Sequence, residues 1–184
     1  MRTRRSAAGR GADVEIAASG REPGVEIALQ NPNRYPEAPA RRLRPWLGSL
    51  LAAVAPAGYA TLGVRFAGDR AVRQANRRFR GKDQTTDVLS FPGGVGLAGG
   101  DGHLGDILIS VPAARRQAVV AGRDTEREIR VLLLHGVLHC LGHDHETDGG
   151  AMERLERRLR RRWIGPGAGE PRSEAARRGG RRAG

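Results

Sequence analysis

Four of the chain's five histidines fall within eleven residues, His135-Gly-Val-Leu-His139-Cys-Leu-Gly-His143-Asp-His145, and this cluster limits the folds open to it. The stretch from Thr125 reads as a helix and is strongly apolar from Ile129 onward, so its histidine-bearing end is buried. His135 and His139 stand four apart and project from one helix face, about one turn from each other. Two imidazoles so placed can bind one metal ion at about 2.0–2.1 Å. Gly142 can take the left-handed conformation that ends a helix. The chain can then double back and bring His145 to the same ion.

Histidines at 0, +4 and +10 with glycine at +7 match the metal-binding half of the metzincin signature. Without a metal, buried histidines at these offsets would each need a separate hydrogen-bond partner. Three histidines with no fourth side chain leave zinc one position for water, the catalytic and not the structural pattern. His143 lies beyond the turn; a supporting residue, a substrate contact and an alternative ligand to His145 all stay open for it. Metallopeptidases with this layout carry a glutamate directly after the first histidine as general base. Here that position is Gly136, which removes the proton acceptor and argues against a peptidase. Cys140 points about 100° around the helix from His139 and reads as a buried apolar thiol. His103 stands alone in a loop and is assigned no role.

At 184 residues the chain suits one domain with a real core. Residues 1–23 and 165–184 are rich in Arg, Gly, Ala and Ser and are expected to be disordered basic tails around a domain at 24–164. Strands are expected at 25–29, where Val25-Glu-Ile-Ala-Leu29 alternates, at 61–66, at Asp87 to Pro92 and at Gly105 to Val111. Leu43, Trp46, Leu47, Leu50, Leu51 and Val54 mark a helix face, and Pro45 places the helix start there or bends it. Asp69 is the expected N-cap of a helix to about Phe79. Pro112 suits a first helical turn that Gly122 later ends, and Thr125 with Glu128 has capping-box spacing. A last helix, at about 148–163, carries arginines at 154, 157, 158, 160, 161 and 162. The order predicts an α+β fold, one mixed four-stranded sheet with about five helices and the metal site at the end of a buried helix.

The net charge is +12, and residues 24–164 hold 22 basic against 15 acidic residues, +7. A basic folded core points to a polyanionic partner, nucleic acid first. Cys140 is the only cysteine, so no intrachain disulfide forms and a reducing compartment fits. The arginine-rich start lacks the apolar core of a secretory signal, and Leu47 to Ala57 is too short to span a bilayer. A cytoplasmic protein without a membrane partner is expected. A second constellation runs Asn76-Arg-Arg-Phe-Arg80-Gly-Lys82-Asp-Gln-Thr-Thr-Asp87-Val-Leu-Ser-Phe-Pro92. Its turn offers one forked cation, Arg80, and one point-like cation, Lys82, a pair suited to phosphate.

Together, Asn76 to Pro92, Leu104-Gly-Asp-Ile-Leu-Ile-Ser110, and His135 to His145 followed by Glu146 and Met152 resemble the YbeY family of bacterial rRNA maturation factors, zinc-dependent endoribonucleases. Order and spacing fit across about residues 25–163, with the tails outside. The resemblance implies one zinc ion on His135, His139 and His145, and Arg80 as the arginine important for RNA cleavage. It further implies work on single-stranded RNA, on the 16S rRNA 3′ end, and with the small ribosomal subunit and its assembly factors. Position 143 often carries tyrosine in such proteins, so histidine here leaves its role open. Asp144 and Glu146 are suspects for general acid or base by proximity in sequence. A ribosome assembly factor that binds metal without cutting is the rival expectation.

Overall fold

The computed structural model describes residues 25–94, 102–144 and 148–165. His145 and Glu146 lie outside the described residues, as do residues 1–24 and 166–184. The elements run β1 (Glu26–Gln30), α1 (Ala40–Val54), β2 (Tyr59–Ala67), α2 (Asp69–Arg80), β3 (Val88–Gly94), β4 (Gly102–Ser110), α3 (Val111–Val120), α4 (Thr125–Cys140) and α5 (Ala151–Trp163). The α+β class, the mixed four-stranded sheet and the five helices are those expected from the sequence.

The sheet order is β1-β2-β4-β3, with β1, β2 and β4 parallel and the edge strand β3 antiparallel to β4. Alternation along the strands divides the core. Leu62, Val64 and Phe66 of β2 join Ile107 and Ile109 of β4 in one large cluster with α1, α4 and α5. Leu108, between those isoleucines, instead packs with Ala67, Val72, Leu89 and Phe91 in a small second cluster that α2 helps to form. The sheet therefore has helices on both sides, and the histidine-bearing α4 belongs to the larger core.

Several element ends differ from the sequence reading, each for a visible reason. Helix α1 starts at Ala40, five residues before Pro45. Pro45 forfeits one backbone bond, but the preceding turn is held by the Arg42 and Leu43 amides on the Pro39 carbonyl, both 3.0 Å, and by fully buried Leu43. The N-cap of α2 is Gly68, not Asp69. The Asp69 carboxylate accepts from the Ser110 hydroxyl at 2.5 Å and from Arg116 at 2.9 Å, tying α2 to the start of α3. Asp124, one residue before Thr125, caps α4 by accepting from the Arg127 amide at 2.8 Å. Glu128 pairs with Arg123, so no capping box forms. Strand β4 begins at Gly102 and ends at Ser110, whose hydroxyl caps α3 through the Ala113 amide at 3.2 Å.

Candidate metal centre

Helix α4 is fixed to the sheet along most of its length, with Ile129, Leu133, Leu134, Val137 and Leu138 all at most 1% exposed. Gly136 is one point of close approach. A Cβ there would lie 3.0 Å from two carbons of Ile107 and 3.0 Å from the Ser90 hydroxyl. The position that a metallopeptidase would give to a glutamate is thus tightly packed, and a side chain there must displace Ile107 or Ser90. Beyond Cys140 the helix closes with the His143 amide on the Leu138 carbonyl at 3.0 Å, while Gly142 sits at φ 87°. That is the left-handed turn expected of Gly142, and it ends the helix.

The structure brings His135 and His139 together. Their Nε2 atoms are 3.0 Å apart, with ring centroids at 4.6 Å and an interplanar angle of 76°. Two nitrogens held at about 2.0–2.1 Å by one tetrahedral ion lie roughly 3.3–3.4 Å from each other. The pair is therefore already close to a shared-ligand separation. Among the described residues, no third histidine, cysteine or carboxylate completes a metal-binding group with them. A metal suits this donor set, since both rings aim the same nitrogen at one place.

Behind the pair stands Glu156 of α5, which the sequence reading missed. Its carboxylate lies 3.3 Å from Nδ1 of His135 and also accepts from Arg160 at 2.7 Å. Burial pushes the Glu156 carboxyl up, but the bond from His135, the charges of Arg160 and His135, and the Arg160 bond outweigh it and hold it below the usual range. A carboxylate on the far nitrogen of a metal-binding histidine fixes ring orientation and raises ligand basicity. The signal was present: Met152, Glu156 and Leu159 form the buried stripe of α5, and an acid in such a stripe needs a partner.

Arg80, in the last turn of α2, donates to the Ser90 carbonyl of β3 at 3.2 Å. The Ser90 hydroxyl faces Gly136, next to His135, so one residue of the edge strand links the arginine to the histidine helix. The turn after Arg80 is well held: Gly81 adopts φ 68°, the Lys82 amide donates to Asn76, and the buried Asn76 side chain donates to Gln84 at 2.8 Å. Arg73 closes it with two bonds to Asp83, 2.8 and 3.0 Å. Lys82 itself is exposed and makes no ion pair among the described residues.

Cys140 is buried, and burial, with a smaller contribution from the Asp106 charge, pushes its thiol up to about 12. His103, read from sequence as a lone loop residue, is in β4, where the β2–β4 register sets it against Thr61. Its ring contacts the Thr61 hydroxyl at 2.9 Å and Asp106 at 3.0 Å. That pairing was invisible without the register. Asp144 is exposed. No described helix is long and apolar enough to cross a membrane.

The family model described as Endoribonuclease YbeY matches residues 29–163. Endoribonuclease YbeY of Solibacter usitatus is 56% identical over 93 residues, 50% of this chain and 59% of that protein. Endoribonuclease YbeY of an Anaeromyxobacter strain is 41% identical over 140 residues, 74% of this chain and 71% of that protein. The chain spans about half the length of the first curated relatives it matches. The solution structure of TM1509 from Thermotoga maritima shares the fold, with TM-score 0.53 and 21% identity over 76% of this chain and 90% of that one.

Proposed function

The chain belongs to the YbeY family, and on that premise we propose that it is a zinc-dependent endoribonuclease specific for single-stranded RNA. The observation that carries this reading is the convergence of the His135 and His139 Nε2 atoms, with Glu156 braced behind His135. His135, His139 and His145 hold one ion. When bound, zinc supplies Lewis acidity and draws the pKa of a water molecule toward about 7. Glu156 keeps the Nδ1 side of His135 occupied, so that Nε2 is the nitrogen turned to the ion. Arg80 is the catalytic cation. One of its five N–H groups holds the Ser90 carbonyl, and the others are available to charge building on a phosphate. Lys82 adds a second contact to the RNA backbone.

The arginines at 154, 157, 158, 161 and 162 line a groove on α5 and would bind further phosphates. The cellular role follows the family: maturation of the 16S rRNA 3′ end in the cytoplasm, alongside the small ribosomal subunit and its assembly factors. The domain at 24–164 carries the activity.

The test is cleavage of a short single-stranded RNA by pure protein, with and without chelator and then with metal restored. Cleavage lost to chelator and regained with zinc is the expected result. His139→Ala should abolish it with the fold intact, and Arg80→Ala should lower it about a hundredfold. RNA binding without any metal-dependent cleavage would leave the assembly-factor reading in its place.

A further inference from the structure

Phe79 has no task in the mechanism above, yet it is 61% exposed at the end of α2. Val72, Asn76 and Phe79 fall at i, i+4 and i+7, so Phe79 continues the buried face of the helix past the edge of the core. Its ring makes two contacts. Phe91 of β3 meets it edge-on, with centroids 5.2 Å apart and the planes at 68°. The Arg78 guanidinium lies over the ring at 5.2 Å from its centroid. Phe79 is thus held in place while the residue as a whole stays largely exposed.

The surroundings are cationic. Arg77, Arg78, Arg80 and Lys82 fall within six residues, and the one acid among them and their neighbours up to residue 86, Asp83, is taken by Arg73. Consecutive residues of α2 grip consecutive residues of the edge strand: Phe79 rests on Phe91, and Arg80 bonds the Ser90 carbonyl. The Ser90 side chain in turn faces Gly136, beside His135. An open aromatic ring among cations, tied to the strand that backs the histidine helix, has the chemistry of a base-stacking platform on a polyanion track.

We infer that Phe79 stacks against an unpaired base of the RNA, and that this contact supplies the preference for single strands. The inference rests on the endoribonuclease reading and adds a substrate contact to it. Bases within a duplex already stack on one another and cannot present a face to the ring, whereas unpaired bases can. An apolar protein surface is the other conceivable occupant, but the four cations disfavour any partner that is not strongly acidic.

The experiment uses the zinc-loaded full chain and a fluorescein-labelled oligouridine carrying one 2-aminopurine, mixed by stopped flow so that binding is read before cleavage. A duplex of the same length is the control. Phe79→Ala should weaken single-strand binding about five- to a hundredfold, remove the 2-aminopurine quench, and leave duplex binding unchanged. Phe79→Trp should retain both affinity and quench, whereas Phe79→Leu, similar in apolar bulk but without a π face, should behave like alanine. If Phe79→Ala fails to fold, the leucine and tryptophan variants decide the matter. Wild-type affinity and quench in the leucine variant overturn the inference, as does equal loss of single-strand and duplex binding. Wild-type protein that cleaves normally while Phe79 proves dispensable sinks only the stacking contact. Wild-type protein that neither binds nor cleaves single-stranded RNA sinks the functional reading with it.

Discussion

Replacing Gly136 with alanine adds one methyl group at a close contact between α4 and the sheet. The new Cβ would lie 3.0 Å from Cδ1 and Cγ2 of Ile107 and 3.0 Å from the Ser90 Oγ. Ile107 is 1% exposed in a central strand and Ser90 is 6% exposed, so neither can swing aside into solvent. Two effects oppose each other. Alanine is the better helix former by about 0.8–1 kcal/mol. Overpacking a close-fitting core costs typically about 1–3 kcal/mol. With three tight contacts of 3.0 Å to buried neighbours, the steric side should win, leaving Gly136→Ala less stable by about 1 kcal/mol. Urea unfolding of the metal-free protein measures this directly, because no metal linkage then enters the midpoint. Gly136→Glu should lose far more, since it adds a longer chain and a carboxylate that finds no room. It should therefore fail to install a peptidase base. An alanine variant more stable than wild type by the full helix-propensity gain would show that helix and sheet are not packed this closely, and would refute the reasoning.

Three further outcomes are expected. Glu156→Gln should weaken zinc binding about ten- to a hundredfold, because His135 loses the charge behind its Nδ1; unchanged affinity in a competition titration with a chromophoric chelator would remove Glu156 from the centre. The Cys140 thiol, pushed up to about 12 by burial and secondarily by Asp106, should resist a disulfide-exchange reagent at pH 8 and react in denaturant; fast reaction of the native protein would contradict the buried placement. The Asp69 carboxyl is held low chiefly by its bond from Arg116, with the Ser110 bond and the Arg116 charge outweighing burial. A lowered folded pKa gives stability that is present above the unfolded value of 3.8 and lost as pH falls through the folded one. Asp69→Asn should thus be less stable at pH 7 by urea midpoint, with the gap closing below pH 4; a gap that persists there would contradict the assignment.

What could be read from the sequence was mostly what is local along the chain. The His135–His139 spacing and the turn at Gly142 depend on helix geometry alone, and both are seen. The continuous apolar run Ile107-Leu108-Ile109 marks a strand, and the structure divides those residues between two clusters. Contacts between distant segments were not legible. Glu156 meets His135 from 21 positions away, on a helix whose arginines drew attention to its solvent side. The reason for Gly136 lies in Ile107 and Ser90, which only the sheet brings against α4. Helix starts slipped where a competing partner was remote: Asp69 is engaged by Ser110 and Arg116 and so does not cap α2.

Zinc stoichiometry tests the central claim most directly. Full-length protein should be loaded, freed of unbound metal by gel filtration and assayed by plasma mass spectrometry beside the His135→Ala and His139→Ala variants. One ion per chain in the wild type, and well under half of that in each folded variant, is the predicted result. Wild-type protein that emerges without stoichiometric zinc, or variants that retain it fully, would contradict the account.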